Sequence, residues 1–389
     1  MPSLSDLDLA GRRVLVRVDF NVPMSGTEIT DDTRIRGAIP TVEAILAAGG
    51  RPVLMSHLGR PDGARDTAFS LRPVADHLGT LLSGPVVFCD ETVGEAAEAC
   101  VAGAPVGSVV LLENTRFLPG ETENDPALAA QMARLGDVFV SDAFGSVHRA
   151  HASTVGVAGL LPNAAGLLLA REVDFLTRAL SDPERPFVAV LGGAKVSDKI
   201  GVIEALAPKV DFLLVGGAMA YTFLKAQGVA VGDSRVEDDR LDVARDLLAR
   251  FADTIVLPTD HVAADRFAAD ADVQTVAGSV PDGRMGLDIG PQTQAHFAAL
   301  VRTARTVVWN GPMGVFEMAP FADGTLAVAQ ALADATAAGA LTVVGGGDSV
   351  AAIEQAGLAG SVSHVSTGGG AMLEFMEGQS LPGLAALDA

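Results

Sequence analysis

Short apolar runs recur along this chain of 389 residues, and they alternate with longer segments whose apolar residues have helical spacing. A short, continuous apolar run is typical of a strand that is covered on both faces. Strands and helices that alternate over this length predict parallel sheets with helices on both faces. The predicted strands are residues 14–18, 52–55, 86–88, 109–112, 138–140, 187–191, 212–215, 255–257, 307–309, 341–344 and 362–365, and the clearest predicted helices are residues 39–48, 125–135, 239–251 and 325–338.

The length of the chain predicts two domains, because it exceeds what one hydrophobic core usually supports. Hydrophobic residues make up 49% of the sequence, which is enough for a core in each domain. Five of the predicted strands precede residue 160 and about as many follow it. We therefore predict an α/β fold with two doubly wound parallel-sheet domains.

The formal net charge of −21 argues against a general affinity for nucleic acid or for anionic membranes. An anionic substrate would then be bound by a local cluster of Arg, Lys and His. Cys89 and Cys100 form neither a disulfide framework nor a metal-ligand spacing, which suits a reducing compartment. Residues 1–13 have acids where a signal peptide would be basic, and the most apolar stretch, residues 155–170, falls short of a membrane span. We expect a soluble cytoplasmic protein.

The stretch from residue 186 to residue 200, PFVAVLGGAKVSDKI, changes character in its middle. Its apolar part predicts a strand, its glycine pair lets a ligand approach the backbone closely, and a helix is predicted to begin at Val196. Lys195 and Lys199 would lie on one face of that helix. Such a helix N-terminus would suit a polyphosphate, although solvated lysines beside a glycine turn give the same pattern. Neither the P-loop nor the dinucleotide-binding glycine pattern is present.

The residues that follow the predicted strands differ between the two halves of the chain. Arginine, histidine, aspartate and asparagine follow strands of the first half, whereas glycine-rich loops follow strands of the second half. Because ligands bind outside the carboxyl ends of parallel strands, each set is expected to converge on a crevice. The first would suit a small anion and the second the phosphates of a nucleotide. Any one motif could be an ordinary turn or surface charge, but chance does not readily place such residues at nearly every strand end.

Eight motifs in this order resemble those of phosphoglycerate kinases along essentially the whole chain. They are RVLVRVDFNVP (13–23), SHLGRP (56–61), LLENTRF (111–117), HRAHAST (148–154), LGGAKVSDKI (191–200), GLDIGP (286–291), WNGPMGVFE (309–317) and GGGDS (345–349). The C-terminal sequence STGGGAMLEFMEGQSLPGL also fits the family. Such a set in one order is highly specific.

The resemblance implies reversible phosphoryl transfer between 1,3-bisphosphoglycerate and ADP, giving 3-phosphoglycerate and ATP in glycolysis. It also implies Mg²⁺ that accompanies the nucleotide, a monomer, and two domains that face each other across a hinged cleft and close for in-line transfer. The implied boundaries are residues 1–165 for a glycerate-binding domain, 166–181 for an interdomain helix and 182–370 for a nucleotide-binding domain. Residues 371–389 would return to the first domain.

The resemblance also assigns site residues one by one. The positions that match the family's glycerate site are Asp19, Phe20, Asn21, Arg34, His57, Leu58, Gly59, Arg60, Arg116, Arg149 and His151. The positions that match its nucleotide site are Gly192, Lys195, Lys199, Gly217, Gly286, Asn310, Pro312, Glu317, Gly346, Gly347, Asp348 and Ser349. Asp348 would bind the metal, Glu317 would meet the ribose, and the catalytic set would be Arg34, Lys195, Lys199, Gly346 and Gly369.

Elementary chemistry agrees with these roles. A phosphoryl group in transfer needs charge neutralisation and in-line placement more than a covalent nucleophile. Arginine binds phosphate and carboxylate through two parallel hydrogen bonds, whereas lysine supplies a mobile point charge. One protein carboxylate is enough for Mg²⁺ when phosphates supply other ligands.

Two other classes of protein fit the sequence less well. A two-lobed binding protein that closes on a phosphorylated metabolite gives no role to two lysines beside a glycine loop, and it would normally carry an export signal. An NAD-dependent dehydrogenase would carry a G-x-G-x-x-G pattern, which the sequence lacks. Formation of ADP from 3-phosphoglycerate and MgATP would separate the three.

Overall fold

The structure, a computed structural model, describes residues 1–388; Ala389, the last residue of the tail predicted to return to the first domain, lies outside them. The chain divides into two compact units. Unit 1 comprises Met1–Val173 and the segment from Ser380 onward, and unit 2 comprises Asp174–Gln379. The border between the units, after Val173, falls inside a helix. The C-terminal segment that belongs to unit 1 begins at Ser380, nine residues later than the predicted start at residue 371.

Unit 1 is built on a six-stranded parallel sheet. Its strands and a short hairpin are β1 (Arg13–Val18), β2 (Met24–Ser25), β3 (Glu28–Ile29), β4 (Arg51–Met55), β5 (Val86–Cys89), β6 (Val109–Leu112), β7 (Val138–Asp142) and β8 (Asn163–Ala165). The strand order in the sheet is β5-β6-β4-β1-β7-β8, and β2 pairs with β3 outside it. The central strand β1 is buried from Val14 to Val18 because helices cover both faces of the sheet.

The helices of unit 1 begin where the sequence leaves its apolar runs. They are α1 (Thr33–Ala47), α2 (Arg72–Leu81), α3 (Glu95–Gly103), α4 (Pro126–Ala133) and α5 (Leu167–Ser181), of which α5 crosses the border between the units. The carboxylate of Asp125 accepts a hydrogen bond from the amide of Leu128 and so caps α4. Asp142, at the end of β7, accepts hydrogen bonds from the amides of Leu168 and Leu169 in the first turn of α5.

Unit 2 contains a second six-stranded parallel sheet and a smaller antiparallel sheet. Its strands are β9 (Phe187–Leu191), β10 (Phe212–Val215), β11 (Ile255–Val256), β12 (Asp260–Ala264), β13 (Val273–Ala277), β14 (Met285–Ile289), β15 (Thr306–Asn310), β16 (Leu341–Gly345) and β17 (His364–Val365). The large sheet has the order β11-β10-β9-β15-β16-β17, and the small sheet has the order β13-β12-β14.

The helices of unit 2 lie mostly in the connections between its strands. They are α6 (Ile200–Leu206), α7 (Met219–Ala226), α8 (Leu241–Arg250), α9 (Pro291–Thr303), α10 (Asp323–Ala337), α11 (Gly347–Gln355) and α12 (Gly370–Met376); α13 (Pro382–Ala385) follows in the segment that belongs to unit 1. Trp309 on β15 is fully buried in the core of this unit, among the valines of β9, β15 and β16.

Each large sheet has one place where the connections leave two neighbouring strands in opposite directions. In unit 1 the chain passes from β1 to β4 on one side and from β7 to β8 on the other. In unit 2 it passes from β9 to β10 on one side and from β15 to β16 on the other. The carboxyl ends of strands at such a switch point form a natural crevice for a ligand. Ligands are therefore expected to bind at the loops after β1, β7, β9 and β15.

The parallel-sheet prediction is confirmed, because all eleven predicted strands are present in the two large sheets. The predicted start of a helix at Val196 is wrong. Residues 196–199 form a turn, and α6 begins only at Ile200. The reason is a distant carboxylate: Glu237 accepts hydrogen bonds from the amide and the hydroxyl of Ser197, at 3.1 and 2.6 Å. Lys195 and Lys199 consequently do not share a helix face.

The C-terminal segment has two parts with different neighbours. Helix α12 packs against α6 in unit 2. Beyond Ser380, the amide of Gly383 donates to the carbonyl oxygen of Val147 at 2.8 Å, and Leu381 and Leu387 are buried. The amino terminus of Met1 forms an ion pair with Asp388 at 2.7 Å. Within the described residues, no helix is both long and apolar enough to cross a membrane.

Candidate functional site

The loops that follow β1, β4 and β6 are tied together by hydrogen bonds, and two of the donors are the cationic side chains of Arg34 and Arg116. Arg34 donates from Nη1 to Asp19 Oδ2 at 2.9 Å and to the carbonyl oxygen of Asn21 at 3.2 Å. The side-chain oxygen of Asn21 accepts from the amide of Gly59 at 2.9 Å. Arg116 donates from Nη1 to the carbonyl oxygen of the same glycine at 2.7 Å. The structure thus brings these predicted residues together.

The other predicted residues of this group complete the arrangement. Phe20 and Leu58 are buried, and their amides donate to Ser56 Oγ and Asn114 Oδ1, which fixes the course of the two loops. Arg60 and Arg149 are exposed and, with Arg116, line a cavity of about 580 Å³. We call the set Arg34, His57, Arg60, Arg116 and Arg149 the basic seat.

The electrostatics of the basic seat favour an anion. Burial lowers the pKa of Arg116, and the positive charges of Arg17 and Arg149 lower it further. Its buried Nε atom has no hydrogen-bond partner among the described residues. A guanidinium with an unused donor beside other cations is ready for a phosphate or carboxylate oxygen, which arginine binds through two hydrogen bonds.

His57 of the basic seat and the adjacent His151 are both neutral at neutral pH, because each has a lowered pKa. Burial lowers the pKa of His57 well below its ordinary value, and the charges of Arg17, Arg116 and Arg34 act in the same direction. Burial lowers the pKa of His151 to about 4, despite the opposing effect of Glu121. A neutral imidazole donates one hydrogen bond and accepts another, so neither ring adds charge to the seat.

A cavity of about 560 Å³ opens at the switch point of unit 2. Five of the predicted residues line it: Gly217, Gly286, Pro312, Glu317 and Asp348. Its apolar wall consists largely of residues outside the predicted set: Tyr221, Phe267, Met285, Leu287 and Val315. Apolar walls with a few polar groups are typical of small-molecule sites.

The loops after β9, β10 and β15 meet backbone to backbone beside this cavity. The amide of Gly193 donates to the carbonyl oxygen of Pro312 at 3.2 Å, and that of Gly217 donates to the carbonyl oxygen of Met313 at 2.9 Å. Gly217 has φ +68°, and a Cβ there would lie 2.6 Å from the amide nitrogen of Gly193. Only glycine allows these loops to approach so closely. Gly192 lies in the same junction, and its amide donates to the carbonyl oxygen of Asn310.

Lys199 and Asn310 form the polar end of this region. Lys199 is almost fully buried, and its Nζ donates to Oδ1 of Asn310, whose buried Nδ2 has no hydrogen-bond partner within the described residues. Burial lowers the pKa of Lys199 to about 8, although Asp198, Asp348 and Glu377 oppose the shift. Lys195 is exposed, and neither lysine is part of the cavity lining. Lys195 and Lys199 therefore lie in the segment between Ala194, which lines the cavity, and the start of α6.

The glycine-rich loop after β16 leads into α11. Gly346 has φ +90°, and a Cβ at this position would lie 2.9 Å from Asn310 Nδ2. Gly347 begins α11, and Ser349 accepts a hydrogen bond through Oγ from the amide of Gly311 at 2.5 Å. Gly369 has φ +45° and directly precedes α12, and it does not line the cavity.

Asp348 is an exposed carboxylate in the first turn of α11 at the edge of the cavity. Among residues 1–388, no group of three or more His, Cys, Asp or Glu side chains could hold a metal ion. A single carboxylate beside a cavity of nucleotide size still fits Mg²⁺, because this ion prefers oxygen ligands and usually shares them between one or two carboxylates, phosphates and water.

Some residues of the two sites carried no signal in the sequence. Phe267 lies in the loop between β12 and β13, neither of which was predicted. Arg17 and Glu121 are buried beneath the basic seat, although charged residues are usually exposed. Leu287 could have been found, because it lies within the quoted motif GLDIGP.

Two doubly wound units, one with an arginine-rich anion seat and one with a glycine-lined cavity beside a buried lysine, define a kinase that acts on a small anionic metabolite. The family model described as phosphoglycerate kinase matches residues 4–379. The chain belongs to the phosphoglycerate kinase family, and it is a phosphotransferase of glycolysis.

Curated relatives and solved structures agree with this assignment. The phosphoglycerate kinase of Chloroflexus aurantiacus is 58% identical over 99% of this chain and 98% of its own length, and that of Salinibacter ruber is 56% identical over the same shares. The solved phosphoglycerate kinase of Coxiella burnetii has a TM-score of 0.88 at 44% identity, covering 99% of this chain and 98% of its own. The Pyrococcus horikoshii enzyme has a TM-score of 0.87 at 31% identity, with coverage of 100% and 98%.

Proposed function

We propose that unit 1 binds the phosphorylated glycerate in the basic seat and that unit 2 binds ADP or ATP in the glycine-lined cavity. The observation that carries this proposal is the division of chemistry between the units. The arginines and the neutral histidines gather at the switch point of unit 1, whereas the glycine loops, Lys199 and the apolar cavity gather at that of unit 2.

In unit 1, the substrate's phosphate and carboxylate would be bound by the guanidinium groups of the basic seat. Asp19 and Asn21 hold Arg34 in place through hydrogen bonds, so the seat needs little rearrangement. Gly59, whose amide and carbonyl are already bonded to Asn21 and Arg116, keeps the loops after β4 and β6 at a fixed spacing. His57 and His151 would supply neutral hydrogen-bonding groups.

In unit 2, the base of the nucleotide would lie against the apolar wall, with Glu317 near the ribose and the phosphates toward Lys195, Lys199 and the loop at Gly346. Lys199 exchanges its bond to Asn310 for the transferred phosphoryl group. The buried Nδ2 of Asn310, which has no partner among the described residues, then donates to a phosphate oxygen. Mg²⁺, held by Asp348 and the phosphates, would neutralise charge on the phosphate oxygens.

The reaction needs no general base, because the groups that accept the phosphoryl group, a carboxylate in one direction and a phosphate oxygen in the other, are already anions. The chain's contribution is therefore position and charge. We propose in-line transfer after the two units close on their ligands. Helix α5, which runs from one unit into the other, is the element about which they would move.

We also propose that the enzyme acts as a monomer in the cytoplasm. The support is the family resemblance, together with the net charge of −21 and two free cysteines, which suit a reducing compartment.

Calorimetry with each ligand separately tests the division of chemistry. Arg149→Ala should weaken the binding of 3-phosphoglycerate about tenfold or more, because it removes a charged donor, and should leave ADP binding unchanged. Arg134→Ala is the matched control, since Arg134 is an exposed arginine of the same unit that pairs with Glu98 at 2.7 Å. Equal losses for both ligands in Arg149→Ala would contradict the proposal.

A further inference from the structure

An ion pair bridged by a hydroxyl lies beneath the basic seat. Arg17 is on the central strand β1 and is only 1% exposed, and Glu121 is 0% exposed. Ser153, also fully buried, stands between them: its Oγ accepts from Arg17 Nε at 2.8 Å and donates to Glu121 Oε1 at 2.5 Å. Neither charged residue belongs to the set that would touch the substrate.

The contact between Arg17 and His57 determines where the proton of the imidazole ring lies. Nη2 of Arg17 is 3.0 Å from Nδ1 of His57. A guanidinium has only donors, so Nδ1 must be the acceptor in this hydrogen bond. The ring is neutral, and its single proton must therefore be on Nε2. This nitrogen has no hydrogen-bond partner among residues 1–388 and is free to donate to a ligand.

Glu121 is hydrogen-bonded to the two segments that carry Arg116 and Arg149. It accepts from Thr115 Oγ1 at 3.2 Å, and Thr115 directly precedes Arg116. It accepts from the amide of Ser153 at 3.0 Å, in the turn that follows Arg149, and its Oε1 lies 3.8 Å from Nδ1 of His151. Through Ser153 and Arg17 it also reaches His57.

The two charges depend on each other. A buried guanidinium without a nearby anion is costly, and a buried carboxylate without a nearby cation is equally so. Arg17 and Glu121 compensate each other through Ser153, so the net charge presented to a ligand comes from the arginines of the basic seat. The hydroxyl bridge also fixes the plane of the guanidinium, because Arg17 donates along two directions at once, to Ser153 and to His57.

We propose that Arg17 and Glu121 are positioning residues of the glycerate seat: Arg17 holds His57 in the tautomer that donates from Nε2, and Glu121, through Ser153, holds Arg17. His57 then donates from Nε2 to an anionic oxygen of the substrate, because a hydrogen-bond donor does not bind a cation. This inference rests on the proposed assignment of His57 to the glycerate seat.

The tautomer can be read directly from the enzyme as it is. Nitrogen NMR of enzyme labelled with ¹⁵N-histidine distinguishes a protonated ring nitrogen from an acceptor nitrogen, and His57 is assigned from the signals lost in His57→Ala. We expect a proton on Nε2 and none on Nδ1 at neutral pH. A proton on Nδ1, or a charged ring, overturns the proposal without the need for a further variant.

Steady-state kinetics test the role of the bridge. Ser153→Ala removes only the hydroxyl, and Glu121→Gln removes only the charge. Each should raise the KM for 3-phosphoglycerate about tenfold, with kcat within about threefold, because a contact made equally in ground and transition states affects KM alone. Arg17→Met should also let the His57 proton redistribute between the two nitrogens. An unchanged KM in both Ser153→Ala and Glu121→Gln overturns the proposal.

A matched control separates positioning from loss of stability. Ser108 is another buried serine of unit 1; its Oγ donates to the carbonyl oxygen of Pro105 at 2.6 Å, and it lies before β6, at the end of that strand opposite to the basic seat. Ser108→Ala should lower the melting temperature without raising KM. If it raises KM as much as Ser153→Ala does, the effect is merely structural and the proposal fails. An unchanged KM in His57→Ala instead refutes the assignment of His57 to the basic seat. The tautomer measurement is independent of that assignment.

Discussion

Replacing Asp142 with asparagine should change how the stability of the enzyme depends on pH. Asp142 is fully buried at the end of β7, where its Oδ1 accepts from the amides of Leu168 and Leu169 at 2.9 and 3.1 Å. Its Oδ2 has no hydrogen-bond partner among the described residues. Burial raises the pKa of Asp142 to about 7, although hydrogen bonds from Thr41 and from the two amides oppose the shift.

The direction and the magnitude of the pH effect on stability follow from the raised pKa of Asp142. The ordinary pKa of aspartate is 3.8, so between pH 4 and pH 7 the folded chain holds a proton on Asp142 that the unfolded chain has lost. Stability therefore falls as the pH rises through this window. The difference between 3.8 and about 7 corresponds to a loss on the order of 4 kcal/mol above pH 7. Asparagine cannot ionise, so Asp142→Asn should escape this loss.

Urea unfolding of both proteins from pH 4.5 to pH 8, followed by far-ultraviolet circular dichroism, measures the effect. The unfolding free energy of Asp142→Asn, relative to the parent, should rise steadily with pH. Asp8→Asn, which changes an exposed aspartate of the same unit, corrects for the change in net charge. Thr41→Val removes a hydrogen bond that lowers the pKa of Asp142, so the pKa should be higher in this variant. The Thr41→Val protein should therefore lose more stability with rising pH than the parent does. A difference between Asp142→Asn and the parent that does not vary with pH refutes the reasoning.

Three further predictions concern catalysis and the chain end. Lys199→Ala should lower kcat about 10²-fold or more, the scale for losing one donor to developing charge, while circular dichroism shows an intact fold; a kcat near that of the parent removes Lys199 from the mechanism. Small-angle scattering should show the enzyme more compact with both 3-phosphoglycerate and nucleotide than with either alone, and no compaction would argue against closure. Deleting Ser380–Ala389 removes the Gly383–Val147 hydrogen bond and the buried Leu387, so unit 1 should unfold at lower urea and kcat should fall, with nucleotide binding retained. Wild-type activity and an unchanged urea midpoint in the truncated enzyme would contradict this role of the tail.

The large sheets could be predicted because their strands are covered on both faces. Val14 to Val18 and Phe187 to Leu191 are buried without interruption, and a strand covered on both faces requires such a run. The small antiparallel sheet could not be predicted in this way. Four of the five residues of β13 are exposed, and β12 begins with Asp260 and His261, which are buried polar residues that interrupt any apolar pattern.

Residues of the candidate site could be predicted where a residue type has a characteristic chemical role. They could not be predicted where contacts between residues distant in sequence determine the local structure. Arginines at strand ends indicated the basic seat, and the structure brings them together. The start of α6 depends on Glu237, which lies about 40 residues further along the chain than Ser197. The burial of Arg17 and Glu121 depends on a serine far from either in sequence. Local patterns carry no information about such partners.

The chain has one tryptophan and one tyrosine, and both lie in unit 2. The indole Nε1 of Trp309 donates to the carbonyl oxygen of Gly311 at 2.8 Å, and Tyr221 lines the glycine-lined cavity. Unit 1 therefore contributes neither chromophore to the intrinsic fluorescence of the enzyme. An emission change upon adding nucleotide reports on the loop next to Asn310. Unfolding followed at once by fluorescence and by circular dichroism separates the two units within a single titration, with no label and no engineered probe.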